Sequence, residues 1–139
     1  MTGASIDAAI APFKINIPNA AIEDLKYRLR NTRYPEKETV DDTSQGPQLS
    51  NFIELMNYWR SEYDWRRCGR MLSGFPQFRT KLDGLGMHFI QVRSRHENAL
   101  PMIFTHGWPG SIVEFYKVIE PLVNPTALGG NAKDAFHVA

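Results

Sequence analysis

The first half of the chain places its apolar residues at helical spacing in three separate stretches, which predict three helices. Asn19 can cap the first helix, Ser50 begins the second, and Asp64 can cap a third, shorter helix that ends near Gly74. The residues of the three apolar faces are Ile22, Leu25 and Leu29, then Phe52, Leu55, Met56, Trp59 and Tyr63, then Trp65, Cys68 and Leu72.

The second half of the chain changes to alternating positions and short apolar runs, which predict β-strands. Asp83 and Gly84 form a turn signal between the two strands of a hairpin. A later helix over 111–122 is apolar around much of its girth, so we expect it to pack against a sheet. The predicted strands cover residues 13–17, 78–82, 87–93, 102–105 and 135–139.

Three patterns in the first half leave alternatives open. Lys26, Arg30 and Arg33 form a basic stripe, for which a solvated helix face is favoured over a site for an acidic partner. The aromatic stripe of the second helix packs against another surface or lines a hydrophobic substrate pocket, and packing is favoured. Residues 34–49 form a long meander with Pro and Gly, and such loops are either functional or wrapped over a neighbour.

The composition is typical of a soluble globular protein. The 139 residues are 42% hydrophobic and 22% charged with a net charge of +1, which suits one domain and leaves no basic footprint for nucleic acid. The single cysteine, Cys68, fits a reducing compartment and has no base beside it that would make it a nucleophile. Since the sequence shows no membrane span, signal peptide, metal-ligand spacing or cofactor motif, we expect a cytoplasmic protein without cofactor.

The strongest candidate chemistry lies in residues 101–115, which predict a strand, a tight turn and then a helix. Gly107 and Gly110 allow the backbone to bend sharply and to approach a bound group closely. Ser111 and Glu114 have the spacing of a capping box, so we expect the helix to start at Ser111. Free N–H groups at such a helix start can stabilise negative charge. The plain alternative is a strand-to-helix connection without chemistry.

The motif His-Gly-Trp-Pro at 106–109, after an apolar strand, resembles the oxyanion-hole turn of α/β-hydrolase-fold epoxide hydrolases of the microsomal and juvenile-hormone type. Residues 58–66 and 75–78 resemble the region that precedes the hydrolase core in that family, and 83–90 resembles its first hairpin. The resemblance runs from Phe13 to the C-terminus, so it covers most of the chain.

The resemblance implies an α/β fold of which this chain holds the N-terminal part. That part is a helical wrapping region, a β-hairpin and then strand–turn–helix, and it is truncated before the nucleophile elbow. The implied division is a loose N-terminal arm at 1–12, the helical and meander region at 13–76, and the first strands and first helix of the incomplete hydrolase core at 77–139.

The resemblance also implies a mechanism and the roles of four residues. In these enzymes an aspartate opens the epoxide to give a covalent ester, and a histidine activates water that hydrolyses the ester through a tetrahedral oxyanion. The backbone N–H of Trp108 would be one oxyanion donor, worth about 3 kcal/mol in the transition state. Gly107 and a cis Pro109 would shape the turn, and a hydrogen bond of His106 would hold it.

The catalytic carboxylate and histidine of the family have no counterpart in this sequence. Residues 129–131 are Gly-Gly-Asn, with asparagine where the family's nucleophile elbow has aspartate, and no buried strand precedes them. His88, His96 and His137 lie in a strand, a polar loop and the last partial strand, so they do not replace the family's base. The isolated chain is therefore predicted to be inactive on the hydrophobic epoxide that a complete enzyme would take.

The resembled fold places the strand at 135–139 between those at 87–93 and 102–105, which leaves one strand edge open. An open edge predicts pairing with the remainder of the hydrolase core or with a second chain. A second hypothesis is a non-catalytic protein-binding module derived from this family. A third is another hydrolase of the same fold, such as a dehalogenase or esterase, but the long helical region before the hairpin argues against it.

Overall fold

The computed structural model describes residues 9–139, so most of the predicted arm, residues 1–8, lies outside the described residues. The chain divides into two compact units. One is Asn16–Gly69, and the other is Arg70–Ala139 together with the described residues before Asn16. Within residues 9–139, no helix has the length and apolar character needed to cross a membrane.

The unit Asn16–Gly69 is helical, as the sequence predicts. Helix α1 (Asn19–Arg30) packs against α2 (Leu49–Ser61), and α3 (Trp65–Ser73) begins in this unit. Asn19 is not the cap of α1, because extended Pro18 occupies that position and the Asn19 Oδ1 accepts a hydrogen bond from the Arg66 guanidinium.

The predicted cap of the third helix is confirmed. Asp64 Oδ1 accepts the backbone N–H of Arg66 at 2.8 Å. The helix ends at Ser73, beside Gly74 as predicted. The second helix begins at Leu49, one residue before the predicted Ser50.

The meander before α2 is confirmed, since residues 34–48 carry no helix or strand in the described chain. Side-chain hydrogen bonds hold it in place of secondary structure. The Glu38 carboxylate accepts the N–H of Leu49 at 2.9 Å, which caps the start of α2 from a distance. Gln48 Nε2 donates to the carbonyl of Asp41 at 2.9 Å.

The other unit contains an antiparallel sheet in which β1 (Ala11–Pro12), β2 (Gln77–Leu82) and β3 (Leu85–Ile90) lie in chain order. The predicted turn is confirmed, because Asp83 and Gly84 both have positive φ angles, of 49° and 80°.

The strand predicted at 13–17 is wrong. Ala11 pairs with Arg79 and Pro12 with Phe78, and the pairing ends with one bond from the Phe13 N–H to the Gln77 carbonyl. Residues 13–17 alternate apolar and polar side chains but do not form a strand. Strand pairing requires backbone hydrogen bonds to the edge of β2, and Ala11 and Pro12 are the residues paired with that edge.

A second, parallel pair consists of β4 (Leu100–Met102) and β5 (Phe136–Val138). Val138 also exchanges two backbone hydrogen bonds with Val92, which follows β3. The expected position of the last strand, between the returning hairpin strand and β4, is therefore confirmed.

The other edge of β4 is open within the described chain. Leu100, Met102 and Phe104 use their backbone groups to bond β5 and the residues on either side of it. Because backbone groups alternate in direction along a strand, Pro101 and Ile103 direct theirs to the opposite edge, where no described strand lies. Ile103 is 80% exposed.

The core of this unit lies between one helix and the two sheets. A 3₁₀ turn (Ile112–Phe115) leads into α4 (Tyr116–Val123), so the first turn of the predicted helix is 3₁₀ and not α. Two short 3₁₀ turns, Pro125–Leu128 and Ala132–Asp134, connect α4 to β5. The buried cluster that joins the helix to the strands is Ile90, Ile119, Val123 and Val138.

Candidate functional site

The turn after β4 is held by short-range hydrogen bonds. The N–H of Gly110 donates to the carbonyl of Gly107 at 2.7 Å, which closes a tight turn around the two residues between them. The peptide bond between Trp108 and Pro109 is cis, as predicted. His106 lies on the exposed side of the turn, with its Nδ1 3.2 Å from the Gly107 carbonyl oxygen.

The predicted capping box joins this turn to the helix. Ser111 Oγ accepts the N–H of Val113 at 3.3 Å, and the Glu114 carboxylate accepts the N–H of Ser111 at 3.1 Å. Two otherwise unpaired donors at the helix start are thus satisfied locally. The orientation of the turn relative to the helix is set by these bonds within the same few residues.

The two glycines of the turn differ in the space available for a side chain. A Cβ at Gly110 would lie 2.8 Å from the Gly107 carbonyl oxygen and closer still to the Glu114 carboxylate. Gly110 is therefore required by the turn itself. A Cβ at Gly107 would meet no described atom within 4 Å, and its φ is not positive, so its own turn does not require glycine.

The N–H of Trp108 is a free donor in the turn. No described residue accepts a hydrogen bond from it or from the N–H of Gly107, whereas the N–H groups of Gly110, Ser111 and Val113 are bonded. The Trp108 side chain is 96% exposed. An unpaired N–H beside a helix start is the arrangement that suits a developing negative charge.

An apolar cavity of about 380 Å³ lies beside the turn in the same unit. Its walls include Phe89, Ile103, Phe115 and Ile119, and His88 and His106 are its histidines. Thr80 also lines it, and its hydroxyl is buried without a hydrogen-bond partner among the described residues. A mostly apolar cavity with a few polar groups is typical of a site for an apolar molecule.

A buried polar chain that sequence reasoning missed reaches this cavity. The side chain of Gln77, which is buried, donates from Nε2 to the Leu72 carbonyl at 2.7 Å, and its Oε1 is 2.9 Å from His88 Nε2. Burial, and then the nearby Arg79 guanidinium, lower the pKa of His88 below its usual value. The contact between Gln77 and His88 could have been predicted from the hairpin register, because a turn at 83–84 places them as diagonal neighbours on adjacent strands.

The remaining candidate residues are engaged elsewhere. His137 Nδ1 accepts the N–H of Ser94 at 3.0 Å. His96 Nε2 is 3.2 Å from the Thr126 hydroxyl. Asn131 Oδ1 caps a 3₁₀ turn by accepting the N–H of Lys133, so residues 129–131 follow one 3₁₀ turn and begin another, without a preceding strand.

Among the described residues, no group of three or more His, Cys, Asp or Glu side chains could hold a metal ion. Cys68 is half-buried in α3, and its thiol acts electrostatically on Tyr63. Burial, together with this thiol, raises the pKa of Tyr63.

The helices, the mixed sheets and the strand–turn–helix define the N-terminal part of an α/β-hydrolase fold. A family model described as epoxide hydrolase N terminus matches residues 10–115, and the chain belongs to that family. The solved structure of juvenile hormone epoxide hydrolase from the silkworm Bombyx mori superimposes with a TM-score of 0.79 at 26% identity, and the match covers 96% of this chain and 31% of that chain.

Two sequence relatives agree with this assignment. A putative epoxide hydrolase from Stigmatella aurantiaca (strain DW4/3-1) is 59% identical over 129 residues, which are 93% of this chain and 29% of the relative. Juvenile hormone epoxide hydrolase 1 from Ctenocephalides felis is 36% identical over 126 residues, which are 88% of this chain and 27% of the relative. The chain thus spans less than a third of the length of these relatives.

Proposed function

We propose that this chain is the N-terminal segment of an epoxide hydrolase that converts a hydrophobic epoxide to a vicinal diol through a covalent aspartate ester. Its contribution is the N–H of Trp108, which donates to the tetrahedral oxyanion formed when water attacks that ester. The observation that carries this proposal is the N–H of Trp108, which has no acceptor among the described residues, although the N–H groups of Gly110 and Ser111 in the same turn are bonded. Such a donor contributes about 3 kcal/mol to the transition state.

The other residues of the turn have supporting roles. His106 and the cis peptide before Pro109 shape the turn, and Gly107 leaves the backbone open on the side where the reacting group would approach. This explains glycine at 107, where the chain itself does not require it. The chain supplies no nucleophile, base or acid, so we expect the isolated chain to be inactive.

The apolar cavity and the open edge of β4 suggest what completes the site. We infer that the remainder of a hydrolase core covers this edge and brings the aspartate and histidine to the Trp108 N–H. Ile103 would be buried by that contact. On this proposal residues 1–12 form an arm, 13–76 the wrapping region and 77–139 the first part of the core, in a cytoplasmic enzyme without cofactor.

The first experiment measures diol formation from styrene oxide by the purified 139-residue chain, with size exclusion on the same sample. We expect no diol above background. Clear turnover by a pure sample would overturn the proposal, because the family mechanism needs a carboxylate and a base that the chain does not provide.

The second experiment tests the donor in a chimera. This chain replaces the matched segment of the Stigmatella aurantiaca relative, and Trp108→Pro, which removes the N–H, is compared with Trp108→Phe, which retains it. We expect the proline variant to lose about 10²- to 10³-fold in kcat and the phenylalanine variant to retain most activity. Equal kcat values in two folded variants, judged by thermal melting, would contradict the donor role.

The alternative is a non-catalytic protein-binding module, and the exposed edge of β4 is the observation that favours it. The two functions give different outcomes in the same samples. A binding module gives an inactive but folded chimera, together with an isolated chain that is a stable monomer. An enzyme segment gives an active chimera.

A further inference from the structure

Among the described residues, the turn at 106–111 is joined to its unit by hydrogen bonds on the helix side and not on the strand side. The last backbone bond of the strand side connects the Phe104 N–H to the Ala139 carbonyl at 2.9 Å. Between Phe104 and Gly110, no described residue accepts a hydrogen bond from a backbone N–H. The backbone that carries Trp108 therefore depends on bonds to the residues that follow it.

Ser111 is the joint between this turn and the helix. It is extended, with φ of −158° and ψ of 173°, and the 3₁₀ turn Ile112–Phe115 follows it directly. An extended residue is outside the repeating hydrogen bonds of a helix. The N–H of Ser111 belongs to the peptide bond with Gly110, so the group that accepts this N–H sets the orientation of the turn relative to the helix.

Glu114 provides that group. Its carboxylate accepts the Ser111 N–H at 3.1 Å from the other side of the joint. The same carboxylate lies directly against Gly110, because a Cβ at that position would be 2.8 Å from Glu114 Cδ and closer still to its oxygen. One side chain thus holds the peptide between Gly110 and Ser111 both by a hydrogen bond and by contact.

The backbone of Glu114 is itself fixed to the core. Its N–H donates to the Ser111 carbonyl at 3.0 Å. The ring of the next residue, Phe115, stacks on Phe104 with centroids 5.0 Å apart and an interplanar angle of 28°. Phe104 packs against the buried cluster that includes Ile119. The Glu114 side chain therefore connects a packed part of the unit to a turn that is otherwise exposed.

We propose that Glu114 is a positioning residue for the Trp108 donor. Its carboxylate holds the turn against the start of the helix and so keeps the Trp108 N–H in one orientation. This inference rests on the proposed function, in which that N–H stabilises an oxyanion only from hydrogen-bond distance. The role requires an acceptor oxygen and not a charge, so glutamine, the other residue found at this position of a capping box, should fulfil it.

The first test is amide hydrogen exchange of the full 139-residue chain by NMR, which requires no activity. In Glu114→Ala the Gly110 N–H should lose about tenfold in protection, within the range of a lost cap interaction. Glu114→Gln should keep it. Glu120→Gln, in α4 beside Asn124, is the matched control and should keep it as well. Unchanged protection of Gly110 in Glu114→Ala would overturn the proposal.

The second test uses the chimera with the Stigmatella aurantiaca relative. Glu114→Ala should lower kcat about tenfold with KM within about twofold, a smaller loss than that from removing the donor itself. Glu114→Gln should restore kcat to within about threefold of the unsubstituted chimera. A kcat that glutamine does not restore would contradict the role of the acceptor oxygen.

Ser111→Ala separates positioning from stability. It removes the hydroxyl that accepts the Val113 N–H but keeps the Ser111 N–H that Glu114 accepts. Both alanine variants should lower the melting temperature of the chimera, and Glu114→Ala should lose more kcat. Equal losses of kcat in the two variants would mean that Glu114 acts through stability alone, and the proposal would fail.

The two proposals fail in different ways. If Trp108→Pro and Trp108→Phe chimeras have equal kcat, the donor role fails, whatever the variants of Glu114 show. If the proline variant loses activity while Glu114→Ala retains kcat, the donor role stands and only the positioning role of Glu114 is wrong.

Discussion

The turn at 106–111 and the aromatic face of α2 are both candidate functional surfaces, but they are determined in different ways. In the turn, hydrogen bonds between residues at most three positions apart fix the backbone. In α2 (Leu49–Ser61), none of the described side chains is buried, and the aromatic groups leave an open cleft of about 320 Å³. The cleft is lined by Leu55, Tyr58, Trp59, Tyr63 and Trp65.

The difference shows which surface can hold its geometry alone. A turn with its own cap and its own glycine needs no partner to place a donor at a defined position. An apolar helix face is defined by what covers it, because burial is what stabilises such side chains. Substitutions should therefore affect stability strongly in the unit that contains the turn, Arg70–Ala139, and weakly on the face of α2.

The largest effect is expected at the centre of the core. Ile119, at 2% exposure, packs with Ile90 and Val138, so Ile119→Ala should lower the free energy of unfolding by about 3 kcal/mol. Urea denaturation followed by circular dichroism measures this. Val118→Ala, at a neighbouring residue with 41% exposure, is the matched control and should change it by less than about 1 kcal/mol.

A smaller effect is expected in the turn. Gly110→Ala should cost about 2 kcal/mol, because its Cβ meets the Gly107 carbonyl and the Glu114 carboxylate. Gly107→Ala should have almost no effect on unfolding, since its Cβ meets no described atom within 4 Å. Thermal melts of the pair are compared. Equal destabilisation of both variants would contradict the distinction between a glycine that the turn requires and one that it does not.

On α2 the expected effect is close to zero. Leu55 is 58% exposed, so Leu55→Ala should change the free energy of unfolding by less than about 0.5 kcal/mol. Leu29→Ala in α1 removes a buried leucine and is the control, with an expected loss of about 3 kcal/mol. A large loss at Leu55 that increases with protein concentration would mean that a second copy covers this face in solution.

The smallest effect is a pH dependence at the start of α2. The Glu38 carboxylate accepts a hydrogen bond from the Leu49 N–H, and this bond lowers the pKa of Glu38 below its ordinary value of 4.5. The unfolded chain then binds this proton more readily, so the contribution of Glu38 is complete above about pH 4.5 and is lost as pH falls through the lower folded-state value. Protection of the Leu49 amide, measured by NMR, should follow this direction.

Two variants make that pH dependence specific. Glu38→Gln should remove it, because the amide does not titrate in this range. Glu36→Gln should leave it in place, since no described group forms a hydrogen bond with Glu36. Identical pH profiles for all three proteins would show that the meander is held by other contacts.

The sequence predicted best the features that depend on neighbouring residues. The capping box of Ser111 and Glu114, the cap at Asp64 and the turn at 83–84 each follow from residue types a few positions apart. The position of β5 beside β4 followed from the family resemblance and not from periodicity. Local chemistry and a known fold together were therefore sufficient for the order strand, turn and helix, but the strand itself is Leu100–Met102 and not the predicted 102–105.

The wrong predictions, for the cap at Asn19 and the strand at 13–17, concern features that depend on contacts between segments distant in sequence. Asn19 is engaged by Arg66, 47 positions away, so its capping preference was overridden by a contact that no local pattern reveals. The first strand formed at Ala11–Pro12 because the edge of β2 was available there. The link between Gln77 and His88 could have been derived from the hairpin register, but only after the turn had been assigned.

Pro101 gives the open edge of β4 a polarity. Its missing N–H lies on the outer side of the strand, so an added strand finds no donor at that position and meets the first one at Ile103. An added strand whose register places a carbonyl opposite Pro101 loses one hydrogen bond there, because proline has no N–H. A single imino acid therefore restricts the alignment of any strand that joins this sheet, and disfavours indiscriminate stacking of identical chains.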